Sequence, residues 1–114
     1  MIKIDTTDTD ISVITPDTER LTAVNATQFK EQVVALVDSG KARLIIDMSG
    51  VSFVDSAGLG ALVGVLKRIG NRGDIVVCSL ADGVRQMFEL TRMNRIFAEY
   101  PDRMAAVAAL KEAL

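Results

Sequence analysis

The chain has 114 residues, enough for one hydrophobic core and too few for two domains, so residues 1–114 are read as a single domain. Hydrophobic residues make up 49% and charged residues 25%, a globular balance that argues against disorder. The net charge of -2 leaves no basic excess for nucleic acid, and no run reaches the ~18 apolar residues of a membrane helix.

The N-terminus shows no cationic start followed by an apolar signal core, so a cytoplasmic protein is expected. Aspartates and Glu19 in the first twenty residues, Asp8 among them, read as a solvated surface. Cys78 is the single cysteine. It closes the apolar run Ile75-Val76-Val77-Cys78 and reads as a small buried hydrophobe.

Apolar and polar residues alternate over Met1 to Asp5 and again over Ile11 to Ile14, with a Thr/Asp turn between. This predicts an antiparallel hairpin, closed at Pro16. Phe29, Val33, Leu36 and Val37 recur at helical spacing from about Asn25 to Ser39, and Gly40 supplies a stop. Leu44-Ile45-Ile46 is continuously apolar, as expected of a strand covered on both faces.

A loop from Ser49 to Asp55 leads into a predicted helix from about Ser56 to Gly70, with a turn at 71–74. Ile75 to Ser79 follows as a strand. Val84, Met87, Phe88 and Leu90 mark a helix from about Asp82 to Thr91. A short strand near Ile96 to Tyr100 precedes a last helix, begun by Pro101 and running to Leu114. Strands alternating with helices predict parallel neighbours in one mixed sheet, with the hairpin at one edge.

The chemistry concentrates at Asp55-Ser56-Ala57-Gly58-Leu59-Gly60, where an apolar segment gives way to a helix. The chain contains no histidine, so the usual base for activating a serine is missing. Ser56 stands where an N-cap belongs, and capping alone would account for it. Gly58, Gly60 and Gly64 fall in one helix, at roughly 1 kcal/mol each against alanine. That points to close backbone approach.

Spacing sends Leu59, Leu62, Val63, Leu66 and Ile69 to the core. It sends Gly60, Ala61, Gly64 and Arg68 outward, with Val65 at the border. A flat outward side suits protein docking. A phosphate on Ser56 would add about -1.5 to -2 charges beside Asp55 and control docking rather than folding.

Enzyme signatures are incomplete. Gly58, Gly60 and Gly64 have the wrong spacing for a dinucleotide loop, and no nucleotide phosphate loop is present. Val54 stands where a nucleophile elbow needs glycine. Asp47 and Asp55 alone are a weak cation set, and no His or Cys cluster offers a metal site. No catalysis, metal or cofactor is expected.

The block from Leu44 through Asp55-Ser56-Ala57-Gly58-Leu59-Gly60 resembles the signature of STAS domains, the bacterial anti-sigma factor antagonists in particular. The likeness continues through Val84 to Thr91 and Ile96-Phe97. It implies an α/β fold: a mixed sheet of four or five strands with helices largely on one face. It also implies partner switching. The unmodified antagonist binds an anti-sigma factor that is a serine kinase of ATPase-like fold, which frees the sigma factor.

Phosphorylation of Ser56 ends that complex, and a PP2C-type phosphatase resets it. On this resemblance Asp55, Ala57 and Gly58 shape the acceptor loop. Leu59, Gly60, Ala61, Gly64, Val65 and Arg68 supply docking surface, with Thr22 beside them. Thr22 replaces a carboxylate common in the family, which removes a charge from the docking region. Arg92 replaces a glycine that serves a left-handed turn.

A STAS module with a different output, in secretion, biofilm or a sensory complex, is the alternative, and ligand binding by the loop is a third. Ser49 and Ser52 are secondary acceptor candidates. A monomer is expected.

Overall fold

The hairpin forms where alternation predicts it. In the computed structural model, which describes residues 1–7 and 9–112, β1 (Ile2–Thr6) runs antiparallel to β2 (Ser12–Pro16), with Ile2 opposite Pro16. Asp8 of the expected turn and Leu114 at the expected end of the last helix lie outside the described residues. β4 (Arg43–Asp47) pairs in parallel with β2, and β6 (Asp74–Cys78) pairs in parallel with β4. β7 (Glu99–Tyr100) adds in parallel to β6, giving a mixed sheet of order β1-β2-β4-β6-β7.

The continuous apolar run of β4 has a direct cause. Leu44 and Ile46 point into the main core, shared with α1 (Ala26–Asp38), α2 (Ser56–Ile69) and α3 (Asp82–Leu90). Ile45 points the other way, into a smaller core under α4 (Arg103–Glu112). Three helices therefore cover one face and one covers the other. Successive strand residues face opposite sides, so a centre buried on both must be apolar throughout.

Three expectations are corrected. The Ser49–Asp55 segment is not all loop: β5 (Phe53–Val54) pairs in parallel with β3 (Arg20–Leu21) in a separate two-stranded sheet. The strand expected over Ile96–Tyr100 shortens to Glu99–Tyr100, because Met93–Arg95 forms a 3-10 turn. The last helix starts at Arg103. Asp102 Oδ1 accepts from the Ala105 N–H at 2.8 Å and caps it, while Pro101 lies before the cap. Arg92 adopts the left-handed conformation, with φ 62°, that its place after α3 requires.

Candidate functional site

The acceptor turn is built by β5 running directly into α2, and Asp55, not Ser56, is the N-cap. Asp55 Oδ1 accepts from the Gly58 N–H at 2.9 Å, and Oδ2 accepts from the Ala23 N–H at 3.1 Å. These bonds, the Gly58 one foremost, hold its carboxyl below the usual carboxylate range. Both residues favour the cap position; aspartate takes it because each of its oxygens has a separate amide to satisfy.

Ser56 becomes the first helical residue. It is exposed, and its hydroxyl has no hydrogen-bond partner among the described residues. Ser52, by contrast, donates its hydroxyl to the Glu19 carbonyl at 3.2 Å. Ser49 is exposed with its hydroxyl unbonded among the described residues, but it lies in the loop before β5 rather than at the start of α2. Only its N–H is engaged, donating to Asp47 Oδ1 at 3.0 Å.

β3 fixes the turn from behind. The Asp55 N–H donates to the Leu21 carbonyl at 3.3 Å. A Cβ at Gly58 would collide with that same carbonyl oxygen, so glycine lets α2 seat against the β3 backbone. The following turn is internally bonded: Asn25 Oδ1 accepts from the Thr22 N–H at 3.0 Å, and Thr22 Oγ1 accepts from the Val24 N–H at 3.3 Å. Thr22 thus spends its hydroxyl inside the turn.

Val24 projects from this turn 94% exposed, and Phe53 is partly exposed under the Arg20 guanidinium, 4.3 Å from the ring centroid. These exposed apolar side chains, on the turn bonded to Asp55 and on the strand leading to it, escaped the sequence reading. A lone valine in a polar turn and a two-residue strand carry no periodic signal.

The flat outward face of α2 is revised. Ala61 is 5% exposed and Val65 is 0% exposed; both are core, and Leu59 is core as well. The Leu59 and Val65 side chains therefore point into the core, whereas Ala61, though little exposed, lines the groove between α1 and α2. Val63 and Leu66, expected in the core, are only half-buried. The cause is a second neighbour: α1 packs along α2, so the buried arc spans the sheet side and the α1 side together.

Gly60 stays exposed, and a Cβ there would meet nothing within 4 Å. Gly64 lies under the Lys30 side chain, and Arg68 Nε donates to Asp38 Oδ1 at 2.8 Å. Ala57 and Gly60 border a shallow groove of about 320 Å³ against Ala23, Ala26 and Lys30 of α1 and its leading turn. Asp47 and Asp55, weighed as a cation pair, are each committed elsewhere: Asp47 to Ser49 and Arg103, Asp55 to Gly58 and Ala23. Cys78 is buried, as expected.

An aspartate-capped helix opening on an exposed serine, on this sheet order, has recognisable relatives. Residues 3–107 match the family model of the STAS domain. The chain belongs to the STAS domain family. The Bordetella bronchiseptica protein named "Putative anti-sigma factor antagonist BtrV" is 36% identical over 93 residues, which cover 81% of this chain and 80% of that protein.

A solved anti-sigma factor antagonist from Mycobacterium paratuberculosis superposes with a TM-score of 0.88 at 24% identity, covering 97% of this chain and 93% of that one. The anti-sigma factor antagonist SpoIIAA in its unphosphorylated form gives a TM-score of 0.82 at 16% identity, covering 100% and 99%. At these identities the two structures show the shared STAS fold. No described helix of this STAS protein is long and apolar enough to cross a membrane.

Proposed function

We propose that this chain is an anti-sigma factor antagonist that works by partner switching, with Ser56 as its phosphoacceptor. The observation that carries this reading is the exposed Ser56 hydroxyl, unbonded among the described residues, beside an aspartate that already holds the helix amides. The names of the relatives support it.

In this reading the unmodified chain acts in the cytoplasm and binds an anti-sigma factor that is also a serine kinase of ATPase-like fold. Ser56 Oγ attacks the γ-phosphorus of ATP held by that kinase. ADP leaves, and the serine proton passes to a base on the kinase. The chain supplies no base of its own: histidine is absent, and both Asp55 oxygens are engaged. It is therefore a substrate and a binding partner rather than an enzyme.

The phosphate brings about -1.5 to -2 charges to a position next to the Asp55 carboxylate. The α2 dipole tolerates an anion at its first turn, so the fold persists while docking is lost. A phosphatase of the PP2C type hydrolyses the ester and restores docking. Peptide mapping by mass spectrometry of the protein recovered from its host tests the assignment. One phosphate is expected on the peptide holding Ser56 and none in Ser56→Ala. A phosphate carried only on Ser49 or Ser52 would overturn it.

A further inference from the structure

Among the described residues, α4 alone covers the sheet face away from α2, and few of its side chains are fully buried there. Among the described residues α4 fully buries Ala106 and Leu110 and half-buries Val107, while Met104 points to solvent. Under it lie Ile11, Val13, Ile45, Val76 and Cys78, all buried. Ordering ten residues carries an entropy cost that these few contacts must offset, and a helix of this length does not persist in water undocked.

The polar ties are concentrated at one residue. Arg103 Nη2 donates to Asp47 Oδ2 at 3.0 Å, its Nε reaches the same oxygen at 3.2 Å, and Nη1 donates to Asp5 Oδ2 at 3.0 Å. Nη2 also reaches Thr15 Oγ1 at 3.3 Å. At the other end of the helix, Arg43 Nη2 donates to the Leu110 carbonyl at 2.9 Å.

Asp47 is 6% exposed, so its charge is tolerable in the closed state chiefly because Arg103 neutralises it. Its other oxygen accepts from the Ser49 N–H at 3.0 Å, at the head of the segment that leads to Ser56. One carboxylate is thus shared between the α4 attachment and the acceptor segment.

We propose that α4 opens from the sheet as a unit while the rest of the fold persists, with Arg103 as its latch, uncovering a second apolar face centred on Ile45 and Cys78. Without Arg103 the Asp47 carboxylate loses its countercharge and keeps only the Ser49 N–H, and undocking α4 lets water solvate it fully. Removing the latch therefore favours the open state specifically. This inference stands whether or not Ser56 is phosphorylated.

Cys78, the only cysteine, reports the opening directly. Burial pushes its thiol up to about 11, so closed molecules react negligibly with a thiol reagent such as DTNB. Labelling of Cys78 is followed against urea, beside global unfolding monitored by circular dichroism. At low urea, labelling of the wild type is expected to run at least about tenfold faster than global unfolding permits, with a shallower urea dependence.

Arg103→Ala is expected to raise that rate by a further factor of about ten or more, consistent with the penalty for an unpaired buried charge. Leu110→Ala, which weakens the same contact without touching the ion pair, is expected to shift labelling in the same direction. Labelling that follows global unfolding, with its full urea slope in the wild type and in Leu110→Ala, would overturn the proposal even if Arg103→Ala failed to fold.

Discussion

Replacing Gly60 by alanine adds a methyl group that meets nothing within 4 Å. α2 then loses a glycine from its interior, which is worth roughly 1 kcal/mol of stability. For a chain of this size that raises the melting temperature by about 4 °C. The same substitution at Gly58, two residues earlier, has the opposite sign.

At Gly58 the new methyl would collide with the Leu21 carbonyl oxygen and stand 3.1 Å from both the Leu21 carbonyl carbon and Val54 Cγ1. Leu21 and Val54 are paired strand residues, and the Leu21 carbonyl also accepts from the Asp55 N–H. Neither side yields cheaply. Overpacking of this kind costs about 1–3 kcal/mol, against a small propensity gain in a first helical turn.

The two variants should therefore bracket the wild type, separated by about 2–3 kcal/mol. Urea unfolding followed by far-ultraviolet circular dichroism measures this directly, with equal slopes as the check on two-state behaviour. A Gly58→Ala protein at or above wild-type stability would refute the seating of α2 against β3. Gly60→Ala carries a second expectation: a partner that approaches α2 closely should bind it more weakly although the protein is more stable.

Arg92 holds a left-handed conformation, so Arg92→Gly should stabilise the fold by about 1 kcal/mol in thermal melting, and destabilisation would contradict that geometry. Asp55 has its folded pKa depressed by the Gly58 and Ala23 amides. Its stabilising contribution is thus complete above the unfolded value of about 3.9 and is lost as pH falls through the lower folded value. Stability of the wild type relative to Asp55→Asn should shrink on acidification across that window; a difference independent of pH would count against the clamp. Ser56→Asp should retain one cooperative unfolding transition near the wild-type midpoint, because an anion at the start of α2 is tolerated. A broad or lost transition would mean that charge at Ser56 acts through folding.

Much of the fold was legible because its signals are periodic. The hairpin alternates, the centre of β4 (Leu44 to Ile46) is apolar without a break, and α1 repeats at 3.6 residues. The same logic placed Leu62 and Ile69 of α2 in the core. It misplaced Ala61 and Val65 because a single apolar stripe presumes one packing neighbour, whereas α2 has the sheet and α1.

The cap went to the wrong residue for a related reason. Adjacent aspartate and serine are both good caps, and only the distant Ala23 amide, 32 residues away in sequence, decides between them. β3 and β5 are two residues each, too short for any pattern to register. The lesson at the site is similar: the glycines announced a close approach, but Leu21 as its object appears only in three dimensions.

The central claim is that one hydroxyl, at Ser56, governs association. Wild type, Ser56→Ala and Ser56→Asp, used as parallel baits in host lysate with bound proteins identified by mass spectrometry, test it most directly. Wild type and Ser56→Ala should retain an ATPase-like kinase that Ser56→Asp loses. If all three retain the same partners, Ser56 is only the first residue of α2, and the switch lies elsewhere.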